Sequence, residues 1–142
     1  MTETTIPSFS HAAQQAQQWV NELAEELDWD KQNAYHLLKS VLTSLRDWLS
    51  PEEAADLSAQ LPMLVRGIYF EGWDPSLSPA IERTKRDFVI RVERDFGFDT
   101  NVDLDIAIKA VFKLIDRHIS QGESVQVRSS MKKTLRQLWP AH

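Results

Sequence analysis

Four histidines offer the most versatile chemistry in this chain, since an imidazole can act as a metal ligand or a general base. They lie at His11, His36, His118 and His142. None has a second histidine three or four residues away, and none follows a glutamate by three residues, so the helical patterns of zinc and di-iron sites are absent. A histidine base also needs an orienting partner, and the sequence identifies none. We therefore expect no metal and no catalytic histidine.

Other reactive patterns are missing as well. The chain has no cysteine, which excludes disulfides, thiol nucleophiles and cysteine-ligated metals. No Gly-x-Ser-x-Gly elbow, Ser–Lys signature or glycine-rich phosphate loop occurs. Asp99–Asp105 begins like a calcium loop, but Leu104 and Ala110 stand where that loop requires Gly and Glu. We interpret its acids as helix caps, and we predict a protein that is not an enzyme and holds no cofactor.

Charge is distributed unevenly along the chain, whose formal net charge is -5. Residues 1–71 carry four Lys/Arg and eleven Asp/Glu, whereas residues 72–142 carry twelve and ten. The fourth predicted helix carries basic residues at Arg83, Lys85, Arg86, Arg91 and Arg94. On the helical wheel, acidic residues lie among them at Glu82, Asp87, Glu93 and Asp95. We interpret this face as solvated ion pairs rather than a phosphate-binding stripe.

The densest group of residues typical of binding hot spots follows the third predicted helix. It comprises Arg66, Tyr69, Trp73 and Asp74, and Tyr, Trp and Arg are the types most enriched at hot spots. One interpretation is an exposed interaction surface. The other is a clasp, in which Trp73 packs between the two halves of the chain and Arg66 pairs with Asp74, since apolar residues beyond a helix end often pack on it. Both interpretations can hold together.

Hydrophobic spacing predicts the helices that must position these residues. The first, at about 10–27, has an apolar stripe that we expect to face the core: Phe9, Ala13, Ala16, Val20, Leu23 and Leu27. The second follows an Asp30 cap, and its wider stripe indicates a more central position.

The third predicted helix opens at Ser50–Glu53 with a serine cap and a proline, and Glu53 can complete a capping box. Pro62 predicts a kink, or two short helices that meet near Gln60. Two prolines and a glycine mark residues 71–79 as a connector. Three more helices are predicted: one from Ser78-Pro79 to Gly97, one at about 102–119 and one at about 123–138.

The two halves of the chain resemble each other. The matched positions include Ser50–Glu53 with Ser120–Glu123, Arg66 with Arg136, and Tyr69 with Trp139. A three-helix unit alone leaves an apolar face uncovered, and docking two units buries both faces. We predict an all-α bundle of two pseudo-repeated three-helix units in a single domain, residues 1–142, with repeats at about 10–70 and 80–140 joined by the connector at 71–79.

The stretch Leu61–Pro75, with its Arg-Gly-Ile-Tyr and Gly-Trp-Asp-Pro motifs, strongly resembles a bacterial family labelled domain of unknown function 2267. The second half fits at Gly122-Glu123, Val127-Arg128 and Leu135–Pro140. Met131-Lys132 departs from the pattern, since a Leu-Pro pair is expected there, and the final helix is expected to run straight. The resemblance implies a compact helical bacterial protein with no agreed activity.

Function is therefore predicted mainly by exclusion. Residues 1–10 lack the basic residue and apolar core of a signal peptide, and no window approaches the ~18 apolar residues of a membrane span, so we expect a cytoplasmic protein. We predict a non-enzymatic interaction or regulatory module that uses the surface around Arg66, Tyr69, Trp73 and Asp74 to bind an unknown protein or a second copy.

Two other functions compete with that prediction. One is a carrier of a small apolar ligand, held in a pocket between the repeats. The other is nucleic-acid binding through the fourth and sixth predicted helices, where Arg128, Lys132, Lys133 and Arg136 add positive charge. The acidic balance of the chain makes nucleic acid the less favoured partner.

Overall fold

Side-chain caps start the helices where the sequence predicts them. Asp30 accepts a hydrogen bond from the backbone N–H of Asn33 at 2.7 Å, and Ser50 accepts one from the N–H of Glu53 at 3.2 Å. Both predicted caps are confirmed. The reciprocal bond of the capping box is not formed, because the Glu53 carboxylate accepts from Nε2 of Gln126 at 3.0 Å instead.

A computed structural model describes residues 6–77, 84–96, 103–130 and 136–139, and this part of the chain contains helices and no strands. The helices are α1 (Pro7–Leu27), α2 (Lys31–Trp48), α3 (Pro51–Ser58), α4 (Met63–Phe70), α5 (Lys85–Phe96), α6 (Leu104–His118) and α7 (Gln121–Ser130), with a 3₁₀ turn at Pro75–Leu77. The predicted all-α class is confirmed.

The break predicted near Gln60 is also confirmed. α3 ends at Ser58 and α4 begins at Met63, with Pro62 as the residue that precedes α4. Proline carries no N–H to continue the ladder of α3, while its fixed φ suits a helix start. The third predicted helix is therefore two helices, and the fourth predicted helix corresponds to α5.

The face that α1 turns to the core overlaps the predicted stripe without coinciding with it, since Ala16, Val20 and Leu27 are partly buried against the core. Its buried residues are Ala12, Trp19, Leu23 and Ala24. Phe9 is 61% exposed and Ala13 is exposed as well, so the expectation that these two residues face the core is wrong. The predicted stripe omitted Trp19, whose ring stacks on His118 of α6 at 4.8 Å between centroids and fixes the rotation of α1.

α2 and α6 lie at the centre of the bundle, and each is buried along most of its length. α2 packs against α1, α4, α5 and α6, while α6 also packs against α1 and α5. The central position predicted for the second helix is confirmed. Further contacts between α3 and α7 join the first half of the chain, α1–α4, to the second half, α5–α7. The pseudo-repeat and the single-domain division stay predictions.

Several predicted features lie outside the described residues. They are the helix start at Ser78-Pro79, the stop at Gly97 and the straight run of the last helix through Met131-Lys132. Among the helices that the structure describes, none combines the length and the apolar character needed to cross a bilayer.

Candidate functional site

Tyr69 is an anchor of the core rather than part of a surface. Its side chain is fully buried, and its Oη donates a hydrogen bond to the carbonyl oxygen of Ala54 at 2.9 Å, which ties α4 to α3. Burial raises the pKa of the Tyr69 phenol, although the positive charge of Arg46 acts in the opposite direction. A docking partner has no access to this ring while the bundle is folded.

Arg66 holds the turn between α3 and α4. Its Nε donates to the carbonyl oxygen of Ser58 and its Nη2 to that of Leu61, both at 2.9 Å. These carbonyl groups lie at the end of α3 and in the turn that follows it, and the Ser58 carbonyl oxygen also accepts from the backbone N–H of Leu61 at 3.1 Å. Arg66 therefore clasps two short helices of one half of the chain.

Asp74 does not form the ion pair with Arg66 that the clasp interpretation requires. It accepts hydrogen bonds from the backbone N–H of Ser76 at 3.0 Å and from its hydroxyl at 2.7 Å. These two bonds lower the pKa of the exposed Asp74 carboxyl. The local turn satisfies Asp74, so the predicted pairing is wrong.

Trp73 folds back onto the end of α4. Its ring stacks on Phe70 with centroids 5.0 Å apart, and its backbone N–H donates to the carbonyl oxygen of Phe70 at 3.0 Å. Gly72, at φ +73°, supplies the left-handed residue of this turn. The side chain of Trp73 is half-buried, which leaves part of the indole accessible.

Arg46 is the residue that holds the connector, and the sequence interpretation missed it. Its side chain is 5% exposed, and its Nη1 donates to the carbonyl oxygens of Tyr69 at 3.0 Å and Glu71 at 2.6 Å. Its Nε donates to Oδ1 of Asp47 at 2.9 Å. Its position, four residues after Leu42 and three before Leu49 on the apolar side of α2, was a detectable signal.

Arg91 links α5 to Asp47, the residue of α2 that also pairs with Arg46. Its Nη2 donates to Oδ2 of Asp47 at 2.6 Å, and its guanidinium carbon lies 5.8 Å from the centroid of the Trp48 ring. Burial opposes the charged form, but Asp47 and Asp95 outweigh it and raise the pKa of Arg91. Because Asp47 and Asp95 engage Arg91, its charge is already compensated within the chain, which favours the ion-pair interpretation of α5.

A polar cavity of about 290 Å³ lies where the two halves of the chain meet. Its lining comprises Gln15, Gln18, Trp19, Gln60, Leu61, Pro62 and His118. The predicted apolar-ligand pocket was expected between the repeats, but carboxamide groups and an imidazole line much of this cavity. The chemistry that it favours is hydrogen bonding to a small polar molecule.

His118 has the orienting partner that the sequence did not reveal. Its Nε2 lies 3.0 Å from Oε1 of Glu22, and since a carboxylate only accepts, Nε2 carries the proton. Burial favours the neutral form of Glu22, but hydrogen bonds from His118, Gln18 and Arg117 outweigh burial and lower its pKa. Ninety-six positions separate the two residues, too far for a sequence pattern to join them.

An apolar depression lies within the first half, where α1, α2 and α4 meet; we name it the α1–α2–α4 groove. It encloses about 350 Å³ and is lined by Ala13, Ala16, Gln17, Val20, Tyr35, Leu38, Leu64, Val65 and Ile68. No charged side chain occurs in this lining. Leu64 is 44% exposed at its edge, and the exposed Phe9 and Met63 lie on the same two outer helices, α1 and α4.

Within the residues that the structure describes, no three His, Asp or Glu side chains converge as metal ligands. In a comparison with known protein families, a family model described as an uncharacterized conserved protein (DUF2267) matches residues 16–138. A search of curated proteins found no match.

Proposed function

The chain belongs to the DUF2267 family, and from the geometry of its surface we propose that it is a non-enzymatic interaction module. An apolar segment of a partner protein binds in the α1–α2–α4 groove. The observation that carries this proposal is the uncharged, mainly apolar lining of that groove together with the exposed edge at Leu64. Bacterial origin and a cytoplasmic location stay predictions.

A partner that binds in the α1–α2–α4 groove removes the apolar lining of the groove from water. Burying apolar surface contributes roughly 25 cal/mol per Å², and a concave site adds close packing to that gain. Phe9, at 61% exposure, lies four residues before the groove residue Ala13 on α1, and Met63, at 60%, is the first residue of α4. A partner helix with apolar residues spaced three and four apart matches such a surface.

The proposed surface differs from the connector surface predicted by sequence. Tyr69 is buried and is not part of an exposed surface, whereas Arg66 is exposed but uses two of its donors in the turn between α3 and α4. α4 nevertheless carries both regions, since Leu64 and Ile68 line the groove and Phe70 supports Trp73. Trp73 follows the carboxyl end of the same helix and is half-buried there.

Position-specific photo-crosslinking tests the proposal. A photoreactive residue at Ala13, in the groove, is compared with one at Ile106, which is 59% exposed on α6. We expect one protein to be captured from Ala13 and not from Ile106. The purified partner should then bind wild type, with affinity about tenfold or more weaker for Leu64→Gln and unchanged for Ile106→Gln. Equal capture at both positions, or equal binding of both variants, contradicts the proposal.

A small apolar ligand is the second candidate occupant of the α1–α2–α4 groove. The apolar lining favours it here, whereas the cavity between the halves is polar. Native mass spectrometry distinguishes the two candidates. A small molecule that co-purifies with wild type, and is lost from Leu64→Gln but not from Ile106→Gln, supports the carrier function over the interaction module.

A further inference from the structure

The polar cavity between the two halves of the chain is lined by three separate elements. Its lining takes Gln15, Gln18 and Trp19 from α1, residues Gln60–Pro62 from the turn between α3 and α4, and His118 from the end of α6. Its volume, about 290 Å³, lies near the lower limit of the volumes that hold small molecules. A ligand in this cavity would contact both halves of the chain.

His118 presents one ring nitrogen to solvent. Its Nε2 is held by the Glu22 carboxylate at 3.0 and 3.2 Å, and Trp19 stacks on the ring at 4.8 Å between centroids. Nδ1 has no hydrogen-bond partner in the described part of the chain and keeps contact with solvent. Because Nε2 carries the proton, Nδ1 of the neutral imidazole is an acceptor. The ring that lines the cavity therefore offers one acceptor held in a fixed orientation.

The three carboxamides of the lining keep further donors and acceptors accessible. Gln60 accepts the backbone N–H of Ser120 through Oε1 at 3.0 Å, which leaves its Nε2 as a donor. Gln18 donates from Nε2 to Glu22 at 3.0 Å, which leaves its Oε1 as an acceptor. The carboxamide of Gln15 makes no hydrogen bond within the described residues, and both of its polar atoms are accessible. The lining therefore combines donors and acceptors that the protein itself does not satisfy.

The charges beside the cavity are already balanced. Glu22 pairs with Arg117 at 3.1 Å and contacts His118, and none of the described lining residues is a Lys, Arg, Asp or Glu. A charged ligand would lose hydration here without gaining a counter-charge. Trp19 is 2% exposed and covers one face of the His118 ring, so the lining offers little aromatic surface on which a planar ligand could stack. These features favour an uncharged ligand that is not flat.

We propose that this cavity binds a small uncharged polyol of the size of a monosaccharide. Each hydroxyl group both donates and accepts, and so does the set of polar atoms in the lining. Hydroxyl groups on different sides of one sugar match Nδ1 of His118, Oε1 of Gln18 and Nε2 of Gln60, which come from three elements. The half-buried Pro62 supplies apolar contact for C–H groups. This site is separate from the α1–α2–α4 groove and does not rest on the proposed interaction function.

An NMR titration of the labelled protein tests the proposal, with D-glucose and D-ribose as the two probes. We expect the side-chain amide resonances of Gln15 and Gln60 and the Nδ1 resonance of His118 to shift and to saturate with one common affinity for at least one sugar. The tighter probe shows whether the cavity fits a hexose or a pentose. Gln15→Ala should weaken binding about threefold or more, because the hydrogen bonds of its carboxamide are lost. Gln14→Ala, at the neighbouring exposed position, should leave the affinity unchanged.

Gln15→Ala should keep the fold, since alanine is the better helix former and the carboxamide has no partner to lose. If the variant did not fold, the shifts of the wild type would decide the test alone. The proposal would be overturned by the absence of a saturable shift with either sugar, or by equal affinities of the variants Gln14→Ala and Gln15→Ala. Binding of acetate or uracil at least as tight as that of the sugars would also overturn it, as would saturable shifts centred on Leu64 of the α1–α2–α4 groove.

Discussion

Nη1 of Arg46 donates a hydrogen bond to the carbonyl oxygen of Tyr69 at 3.0 Å, so a buried cation of α2 caps the carboxyl end of α4. Free carbonyl groups at a helix end carry partial negative charge, which favours a cation there. The same nitrogen reaches the carbonyl oxygen of Glu71 at 2.6 Å, and Asp47 balances the charge at 2.9 Å. The start of the connector is therefore held by α2, in addition to the local contacts of Trp73 and Asp74.

Replacing Arg46 with methionine should lower the free energy of unfolding by about 2 to 3 kcal/mol. Methionine fills a similar volume, but the carbonyl groups of Tyr69 and Glu71 lose their donor. Asp47 keeps Arg91 as a partner. The loss in free energy of unfolding is therefore smaller than that of a substitution that leaves a buried charge unpaired. Urea unfolding followed by circular dichroism measures the change.

The control for this prediction is Arg86→Met, which removes an exposed cation of α5. We expect it to change stability by less than about 0.5 kcal/mol. An equal effect of the two substitutions would mean that the hydrogen bonds of Arg46 contribute nothing specific.

Glu22 should make the bundle less stable in acid. Its folded-state pKa is lowered from 4.5, so its contribution is present above pH 4.5 and is lost as the pH falls through the lower folded-state value. Glu22→Gln should therefore destabilise the protein at pH 7, and the difference from wild type should shrink as the pH falls below 4.5. The measurement is the free energy of unfolding of both proteins between these limits.

Glu25→Gln, on the exposed side of the same helix, is the matched control for Glu22. At pH 7 it should change the free energy of unfolding by less than about 0.5 kcal/mol. If Glu22→Gln has no larger effect at pH 7, the contacts of Glu22 with His118 and Arg117 do not stabilise the ionised carboxylate in solution.

Glu123 should show the opposite pH dependence. Burial raises its pKa above 4.5, with further contributions from the charges of Asp56 and Glu53. A raised folded-state pKa means that stability falls as the pH rises from 4.5 through the folded-state value. Glu123→Gln should thus stabilise the protein at pH 7, and the gain should vanish below pH 4.5, as measured by urea unfolding at each pH.

Glu93→Gln removes one negative charge from the exposed surface of α5 and controls for net charge in the Glu123 experiment. It should give no comparable gain at pH 7. A destabilising effect of Glu123→Gln at neutral pH would show that the carboxylate supports the start of α7 more than it is disfavoured beside Glu53 and Asp56.

The features predicted correctly from sequence are those with local causes. Ser50 and Asp30 cap their helices through bonds that span three residues, and Pro62 breaks the third predicted helix through its own missing N–H. Asp74 shows the same principle, since the turn to Ser76 satisfies it locally. The proposed pair with Arg66 overlooked that nearer partner.

The features that were missed depend on tertiary partners. Glu22 and His118 meet across 96 positions of the chain. Phe9 fits an apolar helical stripe, yet it is exposed because Trp19 sets the rotation of α1 against α6. Periodicity identifies an apolar face, but the neighbouring helices decide which part of it is covered.

Trp139 offers a test of the predicted repeat, because the sequence match pairs it with Tyr69. Its Nε1 donates to Oγ of Ser124 at 3.1 Å, and Ser124 holds in α7 the position that Ala54, the acceptor of Tyr69, holds in α3. Tyr69→Phe should cost about 1 kcal/mol through the lost hydrogen bond. Trp139→Phe should cost more, about 2 kcal/mol, since the buried ring also becomes smaller.

Trp29→Phe is the control for Trp139, because the half-buried Trp29 stacks on Phe96 but makes no hydrogen bond through its indole nitrogen in the described part of the chain. Thermal and urea unfolding should rank Trp139→Phe as clearly more destabilising than Trp29→Phe. If the two substitutions cost the same, the bond to Ser124 does not anchor the second half as the bond between Tyr69 and Ala54 anchors the first. The structural match between the halves would then fail at the aromatic pair Tyr69 and Trp139.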